Sequence, residues 1–343
     1  MAYYSETVLL NALAELNEKS NQDLRAPNYG ATKTFNKYKR DVIMNYDEFN
    51  LVRNASELQT KQIDYMMRDT QTVNSTHSAS LTGAFGTSNR DTLTFTPYTR
   101  EYSLGYGIMK NNTQGAKMLA NQILNARLDI GAAIETAAVA KLETFINTVQ
   151  GSRTLGTWNT GYPSYVEEFA IANKTDYYNY IRSEMGALDY YGTFQEVHTA
   201  NLEALRFYQI AQGTGNASNL QFQYPDFDLE LSTSITNASD YFGTSYVVPS
   251  ASIALLDWVP QRFRDPELAT HGLWGFMNIP DPFGIFDRLS IAVYETVADL
   301  TGSSYGGDTQ DPEWIFEMGI HVGLFCPTLT TGKIVNKFAL TLA

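Results

Sequence analysis

The 343-residue sequence is poor in metal ligands, with one cysteine, Cys326, and four histidines, at 77, 198, 271 and 321. A single cysteine cannot form an intramolecular disulfide, so we expect Cys326 to be a buried thiol. No two histidines have the spacing of a zinc motif, and a zinc site needs three or four ligands. The sequence therefore predicts neither a disulfide nor a metal site.

Positive charge is scarce: 24 Lys and Arg stand against 37 Asp and Glu, a net charge of −13. This balance argues against a dedicated nucleic-acid binder, whose affinity comes from clustered basic residues. The one basic run, "KTFNKYKRD" (Lys33 to Asp41), is more typical of a solvated stretch. Charged residues reach only 18%, whereas Tyr (22) and Phe (18) are abundant, a composition that suits extensive protein–protein burial.

Long apolar runs and catalytic motifs are also absent from the sequence. No run approaches the ~20 residues of a membrane helix, and the first residues, "MAYYSETVLLNALAELNEKS", lack the basic start of a secretory signal. The glycine-rich "GSSYGGDTQD" has no Walker lysine, and no G-x-S-x-G elbow occurs. "DFDLE" places Asp226, Asp228 and Glu230 on one strand face, which suits a hard cation, but a solvated face explains it as well. We therefore predict no enzyme and no cofactor.

One long helix is the strongest pattern present. Residues 111–150 contain no proline, and their apolar residues recur at about 3.7 residues, which predicts one apolar face on a nearly straight helix. Gly151 supplies a left-handed residue to end it. The predicted buried stripe is Ala116, Leu119, Ile123, Ala126, Ile130, Ile134, Ala138, Leu142, Phe145 and Val149. The sequence alone leaves open whether this helix is a core helix or an external spine.

Residues 71–110, before the helix, predict a projecting two-stranded β-arm. A Ser-, Thr-, Asn- and Gly-rich stretch gives way to alternating "DTLTFTPYTREYSLGYGIM". Pro97 lacks a backbone donor, which favours an edge position. An isolated hairpin is barely stable, so we expect the arm to lie on a neighbouring subunit.

The remaining patterns predict an extended arm over residues 20–54 and a mixture of helices and strands elsewhere. Thr193 and Glu196 have the spacing of a capping box for a helix at 193–212. Residues 251–260 fit either a helix or a strand. Further helices are predicted at 5–19, 56–68 and 176–190. Strands are predicted at 227–235, 244–250, 287–297, 313–325 and 332–342.

This order of parts resembles the major capsid proteins of tailed phages, with the Hong Kong-type capsid fold. The passage "SYVVPSASIALLD" is similar to the family's strand–proline–turn–helix passage. The resemblance implies an α+β fold with an N-arm, an extended β-hairpin loop, a spine helix with a peripheral β-sheet, and a mixed α/β axial domain. The implied division is N-terminal arm and short helices 1–70, extended loop 71–110, peripheral domain 111–175, axial domain 176–286, peripheral strands 287–331 and final axial strand 332–343.

The family implies self-assembly, through pentamers and hexamers, into an icosahedral shell around a double-stranded DNA phage genome. It implies separate scaffolding, portal and decoration proteins, weak non-specific contact with packaged DNA, and a place in the virion after assembly in the host cytoplasm. Covalent cross-linking is not implied, because the family's lysine–asparagine–glutamate trio is not identifiable. We expect the arm to contact the adjacent subunit through Leu93, Phe95, Tyr102, Leu104 and Tyr106.

Two alternatives remain open at this point. The same fold serves encapsulin-like nanocompartment shells, which differ in cargo rather than in subunit physics. A large α+β enzyme or a carbohydrate-binding protein with Tyr-rich loops is the other alternative. Particle size separates the second alternative from a shell, and a cargo peptide separates the first from a phage capsid.

Overall fold

The computed structural model combines helices and sheets, which confirms the α+β class. It describes residues 11–12, 14, 28–55, 62–66, 88–105, 112–150, 155–161, 165–205, 226–259, 273–279, 281, 284–286, 289–298, 311–329 and 332–342. The helices are α1 Gly30–Lys37, α2 Lys39–Val42, α3 Tyr46–Ala55, α4 Asn112–Thr144, a 3-10 helix Ile171–Asp176 and α5 Tyr177–Ala187. Residues 200–205 are also helical. The strands are β1 Gln62–Met66, β2 Ser88–Thr92, β3 Thr96–Gly105, β4 Thr157–Asn159, β5 Val166–Ala170, β6 Phe194–His198, β7 Phe227–Leu231, β8 Tyr241–Pro249, β9 Ala254–Trp258, β10 Leu273–Ile279, β11 Leu289–Ala298, β12 Asp311–Phe325 and β13 Asn336–Thr341.

The long helix predicted at 111–150 is α4, called here the spine helix. Its 33 residues span about 50 Å at 1.5 Å per residue. The eight stripe residues from Ala116 to Leu142 are all buried in the main core, as the period predicted. The helix ends at Thr144 rather than at Gly151, because the chain leaves it to pair with the C-terminal segment. Ile146 forms a bridge with Val335, and the Asn147 amide donates to the Val335 carbonyl at 2.6 Å.

Gly131 lies where the spine helix meets the N-terminal region. A Cβ at this position would lie 2.8 Å from the Tyr29 ring and would also meet the Arg127 side chain. Tyr29 is 4% exposed, so its ring packs where any larger residue would project. Close packing therefore accounts for an interior glycine, which costs roughly 1 kcal/mol relative to alanine in a helix.

A five-stranded antiparallel sheet covers one side of the spine helix. Its order is β10-β11-β12-β3, and β9 pairs with the end of β12 beyond β11. The sheet joins the late strands β11 and β12 to β3, which directly precedes the helix, and residues of all three strands lie in the core around the helix. Pro97 lies on β3, at the edge of the described sheet, as its missing donor predicted.

A six-stranded mixed sheet forms the second layer, in the order β4-β5-β13-β8-β6-β7. The final strand, β13, enters between β5 (parallel) and β8 (antiparallel). Helix α5 confirms the helix predicted at 176–190, and it packs on this sheet through Tyr177, Tyr178 and Ile181. The two sheets share the main core around the spine helix, to which Val197 and Tyr246 of the six-stranded sheet also belong.

Two pairs of strands belong to a different sheet from the one that the predicted domain division implies. Strands β4 and β5, within the predicted peripheral domain 111–175, belong to the six-stranded sheet. Strands β9 and β10, within the predicted axial domain 176–286, belong to the five-stranded sheet. The passage after Pro249 is therefore strand–proline–turn–strand, not strand–proline–turn–helix, because all five residues of β9 are buried against β12. Burial on every side favours a strand over a one-faced helix.

The predicted β-arm is built differently from the expected hairpin. Strand β2 pairs with β1, in register Met66↔Ser88 to Gln62↔Thr92, and β3 pairs with β12 instead of β2. The helix predicted at 56–68 is wrong for 62–66, which is strand β1. Residues 56–61 and 67–87 lie outside the described residues. The structure thus places a two-stranded ribbon, β1–β2, beside the five-stranded sheet.

Two further predictions from local pattern are wrong. Residues 194–198 form strand β6 instead of the first turns of a helix, since all five are buried between β7 and β8. Residues 28–54, expected to be an extended arm, are mostly helical. Helix α1 buries Ala31 and Phe35 in the main core, so its stability comes from contacts distant in sequence. Most of the helix predicted at 5–19 lies outside the described residues.

Candidate functional site

The β1–β2 ribbon is held to the body by a small core of its own. Ile63 and Tyr65 are buried in it beside residues of α3, β9 and β12. On the outer side, Arg90 donates to both carboxylate oxygens of Asp64, at 2.6 and 2.9 Å, and this bond lowers the pKa of Asp64. Met66, at the end of β1, is 75% exposed, and Met44, whose amide donates to the Asp64 carbonyl at 2.9 Å, is 55% exposed. The ribbon and the segment beside it thus each present one large apolar side chain to solvent.

The five predicted contact residues fall into three groups. Tyr102 and Leu104 are 8% and 3% exposed, and the Tyr102 ring stacks on Phe316 at 5.4 Å within the five-stranded sheet. The burial of Tyr102 and Leu104 leaves little of either side chain exposed to a neighbouring molecule. Leu93 and Phe95 are half-buried on the ribbon's core. Tyr106 lies outside the described residues.

A buried ion pair joins the spine helix to the segment before β11. Arg127 and Asp281 have no exposed side-chain surface, and the guanidinium binds both carboxylate oxygens, with Nη2 to Oδ2 at 2.9 Å. The Asp281 carboxylate also accepts the amides of Ile285 and Phe286, at 2.9 and 3.0 Å. The guanidinium lies between the rings of Tyr29 and Phe286, 5.5 and 5.1 Å from their centroids. Excellent geometry and added hydrogen bonds offset the desolvation of two buried charges.

A second buried charge, Glu135, receives the N-terminus of helix α1. Its carboxylate accepts the Ala31 and Thr32 amides at 2.9 and 2.8 Å, and the Thr32 hydroxyl at 2.7 Å. The Ser232 hydroxyl, directly after β7, donates to the same carboxylate at 2.6 Å. Four donors and the positive end of a helix stabilise this charge in the core. Glu135 therefore joins the spine helix, α1 and the six-stranded sheet at one point.

A polar cluster lies inside the six-stranded sheet around Glu196. Burial is the largest influence on this fully enclosed carboxyl and raises its pKa to about 7, while His198 on the same strand acts in the opposite direction. The His198 ring nitrogen Nε2 lies 2.8 Å from the Glu203 carboxylate. The Tyr177 hydroxyl lies 2.8 Å from the Ser245 hydroxyl in the same interior. Burial thus moves the pKa of one carboxyl inside this sheet toward neutrality.

Two further carboxyls face each other where β5 meets helix α5. Burial raises the pKa of Glu167 to about 7, and the neighbouring Glu184 carboxylate adds to the shift. Burial raises the pKa of Glu184 as well. The Gly156 amide donates to Glu167 at 3.2 Å and the Leu155 amide donates to Glu184 at 2.8 Å, and both bonds favour the charged forms. These carboxyls hold the turn before β4 in place.

An open groove of about 410 Å³ runs between the spine helix and strand β8. At one side, Lys337 donates to both oxygens of Glu143 at 2.9 and 3.1 Å, and the Tyr246 hydroxyl donates to Glu143 at 2.6 Å. The rest of the lining consists of Thr136, Val139, Ala140, Ser234, Thr236, Asn237, Ala238, Tyr241 and Thr244. The Glu143 carboxylate is therefore engaged by the protein itself.

The candidate metal ligands are not assembled into a site. Within the described residues no three His, Cys, Asp or Glu side chains cluster suitably for an ion. Asp226 pairs with Arg182 and Asp228 pairs with Lys37, so the acidic strand face contacts basic side chains of α5 and α1. Cys326 is a buried free thiol, as predicted, and burial raises its pKa to about 12. None of the helices in the described ranges has the length and apolarity needed to span a bilayer.

Comparison with known proteins gives matches only among solved structures. No protein-family model matches the chain, and no curated protein matches it. The chain is similar to one in "Cyanophage A-1(L) capsid asymmetric unit", at 10% identity and TM-score 0.49, over 88% of this chain and 94% of that one. It is similar to a chain of Mycobacterium phage Che8, at 10% identity and TM-score 0.48, over 92% and 93%. It is also similar to one in "Capsid structure of the Cyanophage P-SCSP1u", at 8% identity and TM-score 0.45, over 84% and 85%.

Proposed function

We propose that this chain is the major capsid protein of a tailed phage, a non-enzymatic subunit that assembles with copies of itself into the shell around the genome. The observation that carries the proposal is the β1–β2 ribbon beside the five-stranded sheet. Within the described residues the ribbon has two strands, a core separate from the main one, and two exposed methionines, Met66 at the end of β1 and Met44 beside that strand. Two strands alone are marginally stable, so a neighbouring subunit that covers them adds stability to both molecules.

The spine helix and its sheet supply the rigid body that such a ribbon needs. Strand β3 follows the ribbon directly in sequence and packs against the spine helix. The ribbon is therefore connected by a short segment to the main core. We place the intersubunit surface on Met44 and Met66, with Leu93 and Phe95 packed at the base of the ribbon. Scaffolding, portal and decoration proteins, and weak contact with packaged DNA, are partners that this function entails.

Replacing residues 67–87 with an Asn-Gly turn tests the ribbon's role in assembly. Met66 and Ser88 are opposite each other in the antiparallel pair, so a two-residue turn can close them and leave β1 and β2 intact. We expect soluble, folded subunits that form no closed shells, as judged by size-exclusion chromatography and negative-stain microscopy. A thermal transition matching that of the full chain controls for folding. Shells of normal size and yield from this variant would contradict the proposal.

A further inference from the structure

Helix α1 contacts the spine helix, the six-stranded sheet and the segment before β11. Toward the spine helix, Ala31 and Thr32 bind Glu135, and the preceding Tyr29 packs on Gly131. Toward the six-stranded sheet, the Thr34 carbonyl accepts the Gln195 side chain at 3.1 Å, and Lys37 pairs with Asp228.

The same helix reaches the residues before β11, where the Asn36 side chain donates to the Ile285 carbonyl at 2.9 Å. Its inner face is fully buried, with Ala31 and Phe35 at 0% and Thr32 and Thr34 at 1% exposure. An eight-residue helix of this kind has little stability of its own, so these contacts hold it in place.

Gly30 fixes how closely α1 approaches the six-stranded sheet. A Cβ on Gly30 would collide with the backbone carbonyl of Leu231, the last residue of β7. The next residue, Ser232, forms a bridge with Tyr29 and donates its hydroxyl to Glu135. Backbone contact and a shared buried carboxylate thus join α1, β7 and the spine helix within a few ångströms.

We infer that residues 29–37 are a strut that fixes the orientation of the six-stranded sheet relative to the spine helix, with Glu135 as its positioning residue. This inference rests on the proposed function for its consequence: the strut sets the angle between the two layers of the subunit, and thereby the curvature of the shell. The Glu135 carboxylate accepts hydrogen bonds from helix α1 and from Ser232 after β7. Replacing it therefore weakens the attachment of both elements to the spine helix.

The test replaces Glu135 with glutamine in the full chain. The amide group turns one acceptor into a donor that faces existing donors, so we expect exchange of the Ala31 and Thr32 amide hydrogens to accelerate about 10- to 100-fold. The matched control is Asp129→Asn on the same helix, because Asp129 is exposed and pairs only at the surface with Arg100. Exchange at Ala31 and Thr32 in the control should match that of the parent chain.

Orientation is measured in the free subunit, between spin labels at Asn121→Cys on the spine helix and Asn173→Cys on the 3-10 helix. Both positions are exposed, whereas the native Cys326 is buried and stays unlabelled. The distance distribution should be narrow in the otherwise unchanged chain and in the Asp129→Asn control, and broader in Glu135→Gln. An equally narrow distribution in Glu135→Gln would overturn the inference. If Glu135→Gln does not fold, Ser232→Ala, which removes only the donor after β7, must broaden the distribution for the inference to stand.

Shell geometry gives the second readout. We expect shells of mixed diameter or incomplete closure from Glu135→Gln and uniform shells from Asp129→Asn. Uniform Glu135→Gln shells of the normal diameter would overturn the link between the strut and curvature. If the unmodified chain forms no shell, the proposed function fails, whereas the spin-label distances still decide whether the strut fixes the orientation.

Discussion

Replacing Asp281 with alanine is expected to lower the free energy of unfolding by about 3–5 kcal/mol, because it leaves the Arg127 charge buried and uncompensated. Arg127 has no exposed surface, so its guanidinium cannot reach water without disrupting the packing of Tyr29 and Phe286 on it. The substitution also removes the acceptor of the Ile285 and Phe286 amides. Urea unfolding followed by circular dichroism measures the change.

A double variant separates charge burial from lost packing. Arg127→Met combined with Asp281→Asn removes both charges, and asparagine keeps an oxygen for the two amides. We expect this pair to recover most of the stability lost in Asp281→Ala, since replacing both members of a buried pair is often nearly neutral. A double variant as unstable as the single one would show that the ion pair is not the source of the effect.

The stability of the subunit is expected to fall as pH rises through neutrality, with Glu196 as a main cause. Burial holds the folded-state pKa of Glu196 at about 7, above the ordinary value of 4.5. The folded chain therefore holds a proton that the unfolded chain releases, so the stabilisation is complete below the ordinary pKa and is lost as pH passes the raised one. A shift of this size corresponds to about 3 kcal/mol.

Glu196→Gln is the matched variant, because it cannot ionise and keeps the shape of the neutral acid. Urea unfolding from about pH 5 to about pH 8 should give a shallower decline for Glu196→Gln than for the unmodified chain. Glu167, Glu184 and Glu230 also have raised pKa values, so a residual decline in the same direction is expected in the variant. Identical pH profiles for the two chains would contradict a buried, neutral Glu196.

Patterns that depend on one element were predictable from the sequence. The spine stripe was confirmed from Ala116 to Leu142, because a period of about 3.7 residues requires one buried face whatever the partner. The edge position of Pro97 was predictable because proline has no backbone N–H to donate to a neighbouring strand, and this holds in any sheet. Strands such as β8 and β12 were recognisable from their apolar runs.

Features that depend on distant partners were not predictable. Thr193 and Glu196 have the spacing of a capping box, yet pairing with β7 and β8 makes 194–198 a strand. Arg127 and Glu135 flank the apolar stripe, where charged residues usually reach solvent. Their burial depends on Asp281 and on the N-terminus of α1, both more than 100 residues away in sequence. The one available signal was their position beside small or apolar residues such as Ala126 and Ile134.

Negative-stain microscopy of the purified full chain, combined with size-exclusion chromatography, tests the central claim most directly. The proposed function predicts closed shells that elute as megadalton particles, alone or with a scaffolding protein, because a neighbouring subunit stabilises the two-stranded ribbon. A chain that stays monomeric or dimeric under both conditions would contradict the assignment and favour a large α+β enzyme or carbohydrate-binding protein.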